Sequence, residues 1–287
     1  MTRAEHLRDQ IVDRIDDLGF GARGLHVLAG VDTAGHRWAP DEPIDVQSVA
    51  KGVCVIAAGI AATEGLIDLD EPIGEYLPSM PLGDGVEHVT MRHLLCMSSG
   101  IDLPWSETMM TDWPDLSEEF LRRPTAGRSF QYSNASTYTA MRVLSERTGD
   151  VATYLQPRLF DPLGLSDVRW ERCPLGRIVA GGGLVLRTHE MARLGRLIRD
   201  RGVWEGRALL APEWIDAMHT DGVPAGTGPG YERYALAGWD GPGAAWRLHG
   251  AHGQLLIFVD DTVVTLTAHD HFGADAAAGA VVETISS

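Results

Sequence analysis

Residues Val53 to Ala62 carry no charged side chain and no polar one beyond a single thiol, and the run is headed by Ser48 and Lys51. As a helix this stretch has no polar face, so the fold must bury it nearly all round. The remaining elements then have to be arranged about it. Its head is polar for a reason that burial does not supply. Ser48 and Lys51 stand three residues apart, which puts both side chains on one helical face and within mutual reach. A helix N-terminus also presents unpaired N–H groups and the positive end of the helix dipole, which favour negative charge. A hydroxyl with an amine one turn later, in that setting, is a candidate nucleophile with its base.

Lys51 is the only lysine in the chain; of the 24 basic residues the other 23 are arginines. Arginine keeps its proton, whereas a buried lysine can be brought to neutrality. The one position that retains lysine is the one where a deprotonatable amine has a use.

At 287 residues the chain can bury a large core, as one domain or two interleaved lobes. Its formal net charge of −16 argues against nucleic acid and anionic membrane as partners, without choosing a substrate. Cys54, Cys96 and Cys173 show no paired spacing and read as free thiols in a reducing compartment. Met1 to Asp17 is charged and lacks the apolar core and cleavage site of a secretion signal, and the Val53–Ala62 run is too short to span a bilayer. A cytoplasmic protein is therefore expected. His269 and His271 have no third partner at metal-ligand spacing, so neither a metal nor another cofactor is expected.

Leu7, Ile11, Ile15 and Leu18 recur at helical spacing and predict an amphipathic first helix. Leu25–Ala29 reads as a strand, Gly30–Gly35 as a turn, and Arg37–Ala39 as a short return strand. Thr90 caps a helix through Cys96, Leu116–Arg122 is a short helix, and Asn134 or Ser136 starts one reaching Arg147. Ile101–Pro114 lacks periodicity and reads as a long loop. Thr188 is the expected cap of a helix over Glu190–Arg201. Ala245–Leu248, Gln254–Asp260 and Thr262–His269 read as strands, and Ala274–Thr284 as a closing helix. The expected class is α+β. An antiparallel sheet flanked by the terminal helices is built from residues 1–75 and 176–287, with a mostly helical lobe inserted at 76–175.

Two further segments carry chemistry-bearing residues. Phe130-Gln131-Tyr132-Ser133-Asn134 precedes a helix, and standing alone it reads as readily as a turn with caps. His249-Gly250-Ala251-His252-Gly253-Gln254 places glycines in a sheet region, where they form a bulge or let a ligand approach the backbone. Together with Ser48-Val49-Ala50-Lys51, and in that order, they resemble the serine β-lactamase and penicillin-binding-protein superfamily. The class C-like branch, with its β-lactamase-like carboxylesterases and transacylases, is the most similar. Glu64 to Pro72, Thr90 to Leu95 with Ser99-Gly100, Phe160 to Leu165 and Ala180 to Leu184 continue the resemblance along nearly the whole chain. No Gly-x-Ser-x-Gly elbow is present, which disfavours an α/β-hydrolase.

The resemblance implies a β-lactamase/transpeptidase-like fold and a role for each matching residue. Ser48 would attack an acyl carbon, and Lys51 and Tyr132 would share the proton transfers, with the choice of base left open. Asn134 would position Lys51 and the acyl side of the substrate. The backbone N–H groups of Ser48 and Ala251 would form the oxyanion hole. The sequence departs from the family at Leu248-His249-Gly250, where its β-lactamases carry Lys-Thr-Gly or a close variant. Leucine removes the cation that receives a β-lactam carboxylate. The implied activity is hydrolysis of a small ester or amide, or else transfer of the acyl group to an amine or alcohol. A non-catalytic binding module is the remote alternative. His249 and His252 flank Gly250 as candidate contacts, and Trp105, Met109, Met110 and Trp113 are candidates for an apolar pocket. The oligomeric state is not encoded in any feature of the sequence.

Overall fold

The computed structural model describes residues 1–110 and 113–287, and of Met109 and Met110 only the backbone. The strands are β1 (Ala22–Ala29), β2 (Asp32–Arg37), β3 (Ile44–Asp45), β4 (Arg169–Trp170), β5 (Leu184–Leu186), β6 (Val203–Trp204), β7 (Arg207–Ala208), β8 (Val223–Pro224), β9 (Arg233–Tyr234), β10 (Trp239–Asp240), β11 (Trp246–Gly250), β12 (Gln254–Val259) and β13 (Thr262–Ala268). The helices are α1 (Arg3–Asp17), α2 (Ala50–Thr63), α3 (Met91–Leu95), α4 (Trp105–Met110), α5 (Leu116–Arg122), α6 (Asn134–Thr148), α7 (Val151–Leu155), α8 (Thr188–Arg199), α9 (Pro212–Asp216) and α10 (Ala274–Ser286).

One antiparallel sheet runs in the order β2-β1-β13-β12-β11-β10-β9-β8. All six residues of β12 are buried, because this strand is covered on both faces. Successive side chains alternate: Leu255, Ile257 and Val259 join the core under α1 and α10, while Leu256 and Phe258 join the core under α8. On α1 the buried stripe is Ala4, Leu7, Ile11 and Ile15. Leu18, expected to complete it, is the helix cap and 48% exposed, and Phe20 fills the place instead. Helices α2 to α7 lie between β3 and β4 in the chain.

Every residue of α2 from Ala50 to Ala61 is buried, in keeping with its lack of a polar face. Burying each of its valine and isoleucine side chains contributes about 1.5–3 kcal/mol relative to exposure. Gly52 lets β11 close on this helix: a Cβ there would stand 2.5 Å from Cδ1 of Leu248.

Three local expectations are corrected. Only Gly30 and Val31 turn, and Asp32 to Gly35 belong to β2, because the turn is a tight one and Ala29 already pairs with Asp32. Within Ile101–Pro114, Trp105–Met110 is helical; Pro104 sits just before its first residue, where proline is tolerated, and its carbonyl accepts from Glu107 N–H at 3.2 Å. Thr188 does not cap α8. Its hydroxyl pairs with that of Thr267 at 2.8 Å, and the Glu190 carboxylate takes the Arg187 N–H at 2.7 Å. No helix among the described residues is long and apolar enough to cross a membrane.

Candidate active site

Ser48 lies in a 3₁₀ turn, Gln47–Val49, that leads into α2, and Lys51 is the second residue of that helix. The backbone enters the turn under strain, since Gln47 has φ +52°. Asp45 holds it there. Its carboxylate accepts from the Gln47 N–H at 2.7 Å, the Gln47 side-chain amide at 2.7 Å and the Gly183 N–H at 3.0 Å. Burial raises the Asp45 pKa, and the two backbone N–H groups work against that rise.

Lys51 is only 2% exposed. Its Nζ lies 2.9 Å from Ser48 Oγ, 2.9 Å from Asn134 Oδ1 and 2.7 Å from the Gly181 carbonyl oxygen. Asn134 is available because it opens α6 without a side-chain cap, and the preceding Ser133 spends its hydroxyl on the Leu103 carbonyl. Gly181 is presented by a segment anchored on both sides. Cys54, one turn after Lys51, donates to the Ala180 carbonyl at 3.5 Å, and the Trp170 indole donates to the Gly182 carbonyl at 2.9 Å. A Cβ at residue 181 would stand 2.6 Å from Asn134 Oδ1, so the approach requires glycine.

Tyr132 sits in the extended segment before α6. Gln131 N–H donates to the Met97 carbonyl at 2.8 Å, and Trp105 N–H donates to the Tyr132 carbonyl at 3.1 Å. Gln131 and Ser133 turn toward Leu103, and Tyr132 between them turns toward Lys51, whose Nζ lies 4.9 Å from the ring centroid. Around the ring, Trp239 stacks at 5.7 Å and 29°, and Tyr234 meets it edge-on at 5.7 Å.

The end of β11 packs beside the Ser48 turn. A Cβ on Gly250 would lie 2.5 Å from the Val46 carbonyl oxygen, so glycine is what brings Ala251 close to that turn. Among the described residues, no backbone carbonyl outside the regular helix and strand ladders takes the N–H of Ser48 or Ala251. Leu248 points into the core against Gly52 and is 2% exposed.

The structure thus brings together Ser48, Lys51, Tyr132, Asn134, Gly250 and Ala251. His249 is turned to a different network: its Nδ1 lies 3.0 Å from the Tyr231 hydroxyl and 3.4 Å from Arg247 Nε. His252, at φ +60°, packs its ring against His271 with centroids 4.1 Å apart. Trp105 is 48% exposed, and the Trp113 ring lies 5.9 Å from the Arg123 guanidinium carbon. α4 borders the site through Thr108, whose hydroxyl is 3.5 Å from Asn134 Nδ2. The Met109 and Met110 side chains lie outside the described residues. Among those residues, no group of three or more His, Cys, Asp and Glu could hold a metal ion.

The family model described as Beta-lactamase matches residues 21–282. The chain belongs to the Beta-lactamase family. It is 28% identical over 246 residues to the 6-aminohexanoate-dimer hydrolase of Paenarthrobacter ureafaciens, covering 77% of this chain and 61% of that relative's length. The D-amino acid amidase of Ochrobactrum anthropi SV3 superimposes with a TM-score of 0.76 at 18% identity, covering 98% of this chain and 99% of the other. A class C beta-lactamase superimposes with a TM-score of 0.76 at 13% identity, covering 100% of this chain and 97% of the other. In this Beta-lactamase family member the sheet, the buried α2 and the helices inserted after it match the expected class.

Sequence reasoning passed over four residues that the geometry places at the site. Asp45 had a signal, since an aspartate two residues before Gln47 is the pattern of an Asx turn. Gly181 acts through its carbonyl, which has no side-chain signature. Tyr234 and Trp239 arrive from short strands whose two-residue lengths show no periodicity.

Proposed function

We infer that the chain is a serine acyl-enzyme hydrolase of a small ester or amide. The observation that carries this reading is the contact set of Lys51. Gly181 O and Asn134 Oδ1 can only accept hydrogen bonds, so two Lys51 N–H groups are committed to them. The remaining direction faces Ser48 Oγ. In the neutral amine that direction is the lone pair, placed to take the hydroxyl proton once the Ser48 O–H turns from the Gly181 carbonyl oxygen 3.4 Å away.

Ser48 Oγ then bonds to the acyl carbon as its proton passes to Lys51. The carbonyl oxygen gains charge opposite the N–H groups of Ser48 and Ala251. The bond to the leaving group breaks as that group takes a proton through Tyr132, which packs against the Lys51 amine. Water repeats the sequence on the acyl-serine, releasing the acid and restoring Ser48. The relatives support hydrolysis by their names, a dimer hydrolase and an amidase. Buried Leu248 supports a substrate without a β-lactam carboxylate.

Intact-mass measurement after exposure to a fluorophosphonate or an activated ester tests this. A single adduct that is lost in Ser48→Ala is expected; no adduct in the unaltered protein refutes it. With saturating amine present, an acyl-amine product in place of the acid would replace water as the acceptor.

A further inference from the structure

The contacts around Tyr132 continue beyond the catalytic groups and close on themselves. Trp239 stacks on Tyr132, and Tyr231 meets Trp239 edge-on at 4.9 Å. The Tyr231 hydroxyl reaches His249, which adjoins the Gly250 packed against Val46 and Gln47 beside Ser48. Tyr132, Trp239 and Tyr231 therefore form one side of a ring of residues on which Ser48 and Lys51 also stand. All three aromatics remain partly exposed, unlike Tyr234 behind them, which is 1% exposed.

The cation on this side is closed off. Arg247 is 1% exposed, and its guanidinium donates to the Gly241 carbonyl at 2.5 Å and to Asp275 Oδ1 at 3.2 Å, with its carbon 4.7 Å from the Tyr231 ring centroid. Tyr231 itself donates to Asp275 at 2.8 Å. Position 248, next to it on β11, is a leucine turned into the core. Neither position offers a cation to a bound anion. The exposed Asp275 carboxylate that pairs with Arg247 disfavours one.

We propose that Tyr132, Trp239 and Tyr231 form the leaving-group platform, which takes a flat aryl or heteroaryl alcohol or amine bearing no negative charge, and that Trp239 sets this preference. The assignment rests on the acyl-enzyme reading above: the leaving atom takes its proton at Tyr132, so the group attached to it extends along the surfaces that adjoin Tyr132. Flat π-systems gain there by stacking on Trp239 and Tyr231, whose rings are held by their neighbours before substrate arrives.

Three acetate esters with leaving groups of matched acidity test the proposal: a neutral nitrophenol, a nitrophenol bearing a carboxylate, and an acyclic alcohol. The expected result is a kcat/KM for the neutral aryl ester roughly fivefold or more above each of the others, the size of one aromatic stacking contact. Trp239→Leu should shrink the aryl-to-acyclic ratio to about one, mainly through KM, and Trp239→Phe should restore most of it. An unchanged ratio in Trp239→Leu, or a carboxylate ester as good as the neutral one, would overturn the platform. Ratios are read only on preparations whose Ser48 labels fully, which removes misfolded protein from the comparison. If none of the three esters acylates Ser48 in the unaltered chain, the acyl-enzyme reading itself falls and the platform's role falls with it.

Discussion

The side-chain nitrogen of Lys51 stands 2.7 Å from the Gly181 carbonyl oxygen, closer than the 2.9 Å that separates it from Ser48 Oγ. A main-chain carbonyl with no side chain of its own thus fixes the direction in which the amine meets the Ser48 hydroxyl. Arginine in place of Lys51 cannot lose its proton and cannot meet the same three oxygens with one nitrogen. Lys51→Arg is expected to slow Ser48 acylation by about 10²–10⁴-fold, measured by intact mass against time. Most of the acylation rate surviving in a folded Lys51→Arg protein would contradict the role.

Gly181 makes a sharper test, because it bears no functional side chain. Adding a methyl group there meets Asn134 Oδ1 at 2.6 Å, whereas at neighbouring Gly182 the nearest atom is 3.7 Å away. Gly181→Ala should therefore displace Asn134 from Lys51 and lower the acylation rate roughly 10²-fold, with Gly182→Ala close to the unaltered protein. Equal rates in the two variants would remove Gly181 from the account.

Gly52 and Leu248 form a packing pair between α2 and β11. A methyl group on Gly52 comes within 2.5 Å of Leu248 Cδ1, and overpacking of this kind costs about 1–3 kcal/mol. Leu248→Ala alone leaves a cavity and costs about 2–5 kcal/mol. In the double variant the new methyl group occupies part of that cavity, so the loss should be smaller than the sum by about 0.5–3 kcal/mol. Urea unfolding of the four proteins measures the coupling, and simple additivity would show that the two residues do not meet.

Stability should fall in mild acid through His249. Burial pushes its pKa from 6.5 down to about 4, Arg247 pushes the same way, and Asp275 opposes. Above 6.5 the ring is neutral in both the folded and unfolded chains, and contributes no pH dependence. As the pH drops from 6.5 toward about 4, the unfolded chain takes up a proton that the folded chain refuses, and stability is lost. The full loss is about 3 kcal/mol and levels off below the folded value. His249→Gln should flatten this window in urea unfolding at pH 7 and pH 4.5; an unchanged slope would place the acid sensitivity elsewhere.

Much of the candidate site is legible along the chain. The Ser48–Lys51 spacing and the apolar run behind it made a buried helix with a polar head, and the order of the Tyr132 and Gly250 segments added partners at a distance. The short helices α3 and α5 were equally readable, whereas the cap expected at Thr188 was not found. Thr90 accepts from the His93 N–H at the head of α3, and Asp115, the residue before Leu116, accepts from Ser117 and Glu118 N–H groups at the head of α5. Elements shorter than one period were not. β9 and β10 are two residues each, and alternation needs more than that to show.

Local chemistry is what the sequence by itself determined: which helix must be buried, where its polar head lies, which residue can give up a proton, and that position 248 carries no charge. These follow from side-chain polarity and from spacings of a few residues, both written along the chain. The tertiary structure alone decided which acceptors surround Lys51, which way Leu248 points, that Arg247 is neutralised by Asp275, and that Trp239 lies on Tyr132. Each of those is a contact between residues far apart in the chain, made through a backbone carbonyl, a missing Cβ, an ion pair or a ring stack. Such contacts exist only once the sheet and α2 have closed on each other.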